Sequence, residues 1–184
     1  MTLNFEKEKL IAELKERKPK KVLVQLAEGI KRDASEISSW IENLGIECIF
    51  SGESCWGACS VAVQEAQALG VDLLVHFGHA QFIEVDFPIL YMEVQDVLNL
   101  VPIMTKSLPL VKEYKKLGLS YSIQHRHDIE NIKKFYEDHG HHVTLSQKAG
   151  CNAYEVHITG CEYRGLIAIQ EQVDAFVIMG NQFH

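Results

Sequence analysis

The stretch Cys59 to Gly78 occurs again as Cys161 to Gly180, aligned without a gap at an offset of 102 positions. Cys59, Ala66, Val71, Asp72, Val75 and Gly78 recur as Cys161, Ala168, Val173, Asp174, Val177 and Gly180, and the two copies close on VDLLVHFG and VDAFVIMG. An internal repeat constrains architecture before any single residue does, because both copies must fold alike. It also sets two of the five cysteines at equivalent places, which makes Cys59 and Cys161 candidates for a shared task.

The remainder of each repeat follows from hydrophobic spacing. The amphipathic segment NFEKEKLIAELKERK carries Phe5, Leu10, Ile11 and Leu14 at helical spacing. Val22 to Leu26 is an apolar run too short for a helix and predicts a buried strand. A helix near Arg32 to Leu44, stopped by Gly45, leads to a strand at Ile46 to Phe50. The loop SGESCWGAC, a helix from about Cys59 to Leu69 and a strand at Val71 to Val75 complete the first repeat. In the second, helices are expected near Lys106 to Lys116, over Asp128 to His139 and from about Cys161. Strands are expected at Leu119 to Ile123, His142 to Leu145 and Val173 to Met179, with Cys151 in a longer loop. Gln25 and Gln124 each end the first strand of their repeat. Strands alternating with helices predict an α/β fold: two tandem homologous lobes, 1–95 and 96–184, with small parallel sheets flanked by helices and joined near Tyr91 to Val101.

The chain has 184 residues, 47% of them hydrophobic, enough to build a core. No apolar run reaches membrane-spanning length, and the charged N-terminus is unlike a signal peptide. A net charge of −7 leaves no basic footprint for nucleic acid. Five cysteines, an odd number without the spacing of a small secreted scaffold, place the chain in a reducing cytoplasm.

In parallel α/β sheets ligands bind at the carboxyl ends of strands, where loops lead into helices. Cys59 and Cys161 are expected at such junctions, where a helix N-terminus favours the thiolate that a soft metal or iron–sulfur cluster needs. Cysteine is commonly a small core residue, but packing alone does not place thiols at matched loop positions. Cys55, in a C-x-x-x-C spacing with Cys59, is a loop residue or an auxiliary thiol. Cys151 lies near enough in sequence to approach the site, and Cys48 falls in a strand and reads as core. Among polar residues, Gln25 and Glu28 follow the first strand. His79 and His184 each follow a repeat's last strand. These four are candidates for cofactor contact. His125 and His127 serve the site or cap a helix, and His139, His141 and His142 read as solvated turn residues.

The stretches VLVQLAEGIKRDA, SGESCWGACSVAVQEAQALGVDLLVHFGHA, HITGCEYRGLIAI and VDAFVIMGNQFH resemble the archaeal diphthamide-synthesis family over essentially the whole chain. The motifs that carry the resemblance are the GAC around Cys59, the HFGH of His76 to His79, the GC of Gly160 and Cys161, and the terminal FH. Ala27 stands where the family usually has proline, and Ser60 where it often has aspartate.

The resemblance implies a 2-(3-amino-3-carboxypropyl)histidine synthase, which performs the first step of diphthamide formation. Three repeats would each give one cysteine to a single [4Fe-4S] cluster, with Cys59 and Cys161 as two of these ligands. S-adenosylmethionine would bind the open iron, and its 3-amino-3-carboxypropyl group would pass by radical chemistry to a histidine of translation elongation factor 2. A homodimer, or a partner chain supplying the third repeat, is also implied. The sequence ends at His184, where the second repeat finishes. A fragment, a split subunit and a shortened, non-catalytic partner are the readings this leaves. A quinolinate-synthase-like iron–sulfur enzyme is the alternative, since that family is similar in plan.

Overall fold

A computed structural model of the chain describes residues 3–180. It divides into two compact units, one of Asn4–Val94 and one running from Gln95 to the end of the described residues. In the first, β1 (Lys21–Leu26) reads KVLVQL, with its last five residues buried. Continuous burial means that both faces of the strand are covered, as in a parallel sheet packed under helices. β1 is flanked by β2 (Glu47–Phe50) and β3 (Leu73–Phe77), and β4 (Ile89–Met92) lies beyond β3, giving the order β2-β1-β3-β4. All these pairs are parallel, with Val22 opposite both Cys48 and Leu73.

Helix α1 (Lys7–Arg17) buries Leu10 and Leu14, one turn apart, and α2 (Ala34–Glu42) buries Ile37 and Ile41 at the same spacing. Phe5 stands edge-on to both Trp40 and Phe77, with ring centroids 6.3 Å apart in each case. Leu23 and Leu74 pack with Ala62, Ala66 and Val71 beside α3 (Val63–Ala68).

The second unit has the sheet order β6-β5-β7, all parallel, from β5 (Lys116–Tyr121), β6 (His142–Leu145) and β7 (Ala175–Met179). Helices α4 (Val101–Val111) and α5 (Ile129–Asp138) contribute Met104, Val111, Ile132 and Tyr136 to its core, where they meet Leu117, Leu119, Tyr121, Val143 and Met179. The Tyr136 hydroxyl and Ser107 Oγ are 2.7 Å apart, which satisfies a phenol that would otherwise be buried unpaired.

One device recurs in both units. The Asp72 carboxylate accepts from the backbone N–H groups of Lys20 and Lys21 at 2.7 and 3.0 Å, and Asp174 does the same for Lys115 and Lys116 at 2.9 and 2.8 Å. These donors hold both carboxyls below the usual carboxylate range. The aspartate of each VD pair therefore anchors the start of its unit's central strand.

The α/β class expected from the sequence is the one found, and β6 has the expected bounds. Elsewhere the elements shift. The first strand of the second unit is Lys116–Tyr121 rather than Leu119 to Ile123, because Asp174 starts it at Lys116. Gln124 consequently falls in a 3-10 turn (Ile123–Asp128), and the counterpart of Gln25, fifth residue of β1, is Ser120, fifth residue of β5. Helix α4 begins at Val101 rather than near Lys106. Pro102 suits a first helical turn, and Val101, Met104, Leu108 and Val111 share one apolar stripe. The segment read as a joint opens on the last two residues of β4, Tyr91 and Met92, a strand whose pairing begins where Leu74 N–H donates to Pro88 C=O at 3.0 Å.

Leu23 is fully buried at the centre of its cluster, whereas Leu110 is 77% exposed on α4. Leu23→Ala should lower unfolding free energy by about 3 kcal/mol in denaturant titrations, and Leu110→Ala should leave it nearly unchanged.

Candidate functional site

In the first unit the chain moves from β1 to β2 on one side of the sheet and then to β3 on the other. The carboxyl ends of β1 and β3 therefore flank the point where strand order reverses, where open α/β sheets hold their ligands. Gln25 and His76 lie there as register partners, 1% and 0% exposed.

Gln25 Nε2 donates to Ser60 C=O at 2.8 Å, and its Oε1 accepts the Ala62 N–H at 3.1 Å. The same oxygen is 2.9 Å from His76 Nδ1. An amide oxygen only accepts, so the His76 proton is on Nδ1 and its Nε2 carries a lone pair. That lone pair meets His79 Nδ1 at 2.9 Å. Gly78, at φ +99, makes the turn between the two histidines, and its N–H donates to Met92 C=O at 2.8 Å. Burial, with a smaller contribution from His79, pushes His76 down to about 3.

The loop after β2 is held from a second side. Glu28 Oε1 accepts the Cys55 N–H at 3.0 Å, and Glu28 N–H donates to Cys55 C=O at 3.2 Å. Lys31 pairs with that carboxylate at 2.8 Å and donates to Glu53 C=O at 2.8 Å. The Lys31 ammonium and the Cys55 N–H hold Glu28 below the usual carboxylate range. Between these anchors Ser60 N–H closes a turn onto Gly57 C=O at 3.1 Å, and Cys59 is exposed with a free thiol.

In the second unit Cys151 and Cys161 are also exposed and free. Their loop is tied to β5 by Ser120 Oγ, which donates to Val156 C=O at 2.6 Å, and by Tyr121, which exchanges backbone bonds with Val156 and Ile158. Around Cys161, Thr159 Oγ1 donates to Asn152 Oδ1 at 3.3 Å, and Asn152 donates to Glu162 C=O at 3.4 Å. Arg164 pairs with the Glu162 carboxylate and is the main reason that this group lies at about 2. Gly165 passes so near Gln147 that a Cβ there would stand 2.1 Å from the Gln147 carbonyl oxygen.

Cys59 and Cys161 thus lie on exposed loops of matching position, but not at helix starts. α3 begins at Val63 and α6 (Arg164–Ile167) at Arg164. The intervening backbone is committed to the turn at Ser60 and the bond from Ala62 to Gln25, and to the Thr159–Glu162 bridge in the second unit. Gln25, read as a candidate for cofactor contact, is buried, and its amide bonds to Ser60 and Ala62 of the Cys59 loop and to His76. Glu28 has the same occupation from the other side, and His79 is half-buried against His76. His184 lies outside the described residues.

Cys48 is half-buried in β2, where burial raises its thiol to about 11, and Cys55 is buried in the loop. His125 is 4% exposed, with Nδ1 3.5 Å from Asp128 Oδ2, and His127 stands 3.3 Å from the same oxygen. Lys31, Ser120 and Asn152 escaped the sequence reading because each acts through a backbone partner distant in sequence, and Arg164 because its partner, the Glu162 carboxylate two residues away, looks like any local ion pair. His76 had a visible signal in its place within HFGH.

Because the His76 value lies below the ordinary 6.5, the unfolded chain takes up a proton that the folded one refuses as pH falls. Stability should therefore be full above about pH 6.5 and decline towards pH 3, with the His76 ring still neutral by NMR at about pH 4. Gln25→Leu leaves Ser60 C=O, Ala62 N–H and His76 Nδ1–H unpaired, at about 1–3 kcal/mol for each group that water cannot reach. Hydrogen exchange at Ala62 should accelerate. Gly165→Ala should loosen the Cys161 loop, read as faster exchange at Gln147.

A family model described as "Putative diphthamide synthesis protein" matches residues 26–184. The chain is 28% identical over 159 residues to 2-(3-amino-3-carboxypropyl)histidine synthase of Pyrococcus horikoshii, covering 85% of this chain and 46% of that one. It is 29% identical over 187 residues to subunit 1 of the synthase of that name from Gibberella zeae, covering 98% of this chain and 40% of the relative. Among solved structures, Dph2 from Pyrococcus horikoshii superimposes with a TM-score of 0.89 at 26% identity, covering all of this chain and 54% of that one. A structure of Dph2 with a 4Fe-4S cluster matches with the same score and covers 55% of that chain. The chain spans about half the length of the relatives it matches. With the family model covering most of its length, the chain belongs to the diphthamide synthesis protein family.

Proposed function

We propose that this chain takes part in the 2-(3-amino-3-carboxypropyl)histidine synthase reaction, the first step of diphthamide formation on translation elongation factor 2. The observation that carries this reading is the pair of exposed thiols outside any disulfide, Cys59 and Cys161, each on the loop that follows the second strand of its sheet. A chain superimposing at a TM-score of 0.89 was solved with a 4Fe-4S cluster, which supports the same role for thiols here.

The donor set suits such a cluster. Both residues are soft sulfur donors, neither is consumed by a disulfide, and both are accessible to iron. Cys59 and Cys161 would each give one thiolate ligand, and a third would come from a third repeat or from a partner chain, in a homodimer or a heteromeric assembly. When bound, the cluster supplies the electron that frees the 3-amino-3-carboxypropyl group from S-adenosylmethionine, for radical transfer to the histidine.

The chain's own residues do the positioning. Gln25 fixes the backbone on the carboxyl side of Cys59, while Glu28 and Lys31 fix it on the amino side at Cys55 and Glu53. Asn152, Glu162 and Arg164 brace the turn at Cys161. Pinned loops hold a ligand where the metal needs it, rather than ordering it on binding. Cys48, half-buried in β2, has no part in this.

The test is made on the protein as its own cell produces it. With Cys59 or Cys161 changed to serine in the genome, mass spectrometry of elongation factor 2 should show the target histidine unmodified. Cys48→Ala should leave it modified to the parental extent. Full modification in both serine variants would contradict the proposal.

A further inference from the structure

Apart from the exposed thiols, the first unit gathers a second set of soft donors. The Cys55 thiol and ring nitrogens of His76 and His79 all lie within 4.8 Å of one another. Cys55 and His76 are 1% and 0% exposed, and His79 is half-buried. They arrive from different segments: His76 from the end of β3, His79 from beyond the Gly78 turn, and Cys55 from the loop after β2.

The arrangement has the supporting contacts that metal-binding histidines require. A ligating imidazole usually donates its other N–H to an oxygen that fixes tautomer and orientation. Gln25 Oε1 does this for His76 Nδ1 at 2.9 Å, which leaves the Nε2 lone pair facing His79. The Gln25 oxygen is itself fixed by the Ala62 N–H at 3.1 Å. His76 Nε2 and His79 Nδ1 are 2.9 Å apart. Two nitrogens on one tetrahedral zinc ion, with bonds of about 2.0–2.1 Å, stand about 3.3 Å apart. Opening the histidine pair by a few tenths of an ångström is therefore all that separates it from ligand spacing.

We propose that Cys55, His76 and His79 form a binding site for a divalent ion of the zinc class, with one coordination position open. One thiolate and two imidazoles suit zinc or cobalt, whereas calcium and magnesium demand oxygen donors. Binding is a ligand exchange without redox change. The ion sheds water, and the Cys55 thiol proton passes to solvent. The proton on His79 Nδ1 moves to its other ring nitrogen, so the imidazole stays neutral. The ion would tie the end of β3 to the loop four residues ahead of Cys59, so occupancy would stiffen that loop. The site does not depend on the iron–sulfur reading.

Titration of the Cys59→Ser, Cys161→Ser chain with Co²⁺ tests this independently of any cluster. The expected result is a thiolate-to-cobalt charge-transfer band with intense tetrahedral d–d absorption, saturating at one ion per chain and displaced by Zn²⁺. Zn²⁺ should also raise the thermal midpoint of the same protein. Adding Cys55→Ser, or separately His79→Ala at its half-buried position, should remove both effects while far-ultraviolet circular dichroism stays unchanged. Absence of the charge-transfer band overturns the proposal. So does a band that survives Cys55→Ser, which would assign the ion to the exposed Cys151.

Discussion

One buried amide organises the carboxyl edge of the first unit's sheet. Gln25 stands on a central strand covered on both faces, where an unsatisfied polar group costs about 1–3 kcal/mol. One geometry gives both of its polar atoms partners: Ser60 C=O on the nitrogen, Ala62 N–H and His76 Nδ1–H on the oxygen. The strand therefore cannot settle into place unless the loop carrying Cys59 settles with it. Core formation and thiol placement become one event, and the His76 tautomer is decided in the same step.

The second unit solves the same problem with different chemistry. Ser120 occupies the strand position that Gln25 holds in β1, and its short hydroxyl donates to the backbone of Val156 and accepts from Ser146 Oγ. The remaining restraint comes from within the loop, through Asn152 and the Glu162–Arg164 pair. This loop is longer, with Cys161 sixteen residues past the end of β6 against nine for Cys59 past β2. A long loop pinned only from the strand would leave its far end free, and a polar brace beside the cysteine compensates.

The fold class was legible because buried parallel strands are short apolar runs and the repeat doubles the signal. The thiol positions were legible for the same reason. Boundaries were not, since they depend on hydrogen bonds between distant residues: Asp174 sets where β5 begins and thereby displaces Gln124 from strand to turn. Gln25 and Glu28 were read as candidates for cofactor contact from their place at the carboxyl end of a strand, and the structure shows both bonded to the loop that carries Cys59. A pattern of types places a side chain at an edge without saying whether it faces a ligand or grips a neighbouring loop. The helices at Cys59 and Cys161 began later than periodicity suggested, because turn bonds claimed the intervening backbone.

The central claim is that the two matched loops exist to present iron-ligating thiols. The most direct test is Mössbauer spectroscopy of the protein purified anaerobically, with the partners its own cell supplies, from cells grown on isotopically enriched iron. The account predicts the signature of a [4Fe-4S] cluster in the parent, lost when either Cys59 or Cys161 is changed to serine and kept when Cys48 is changed to alanine. A cluster signal unchanged in both serine variants would contradict it.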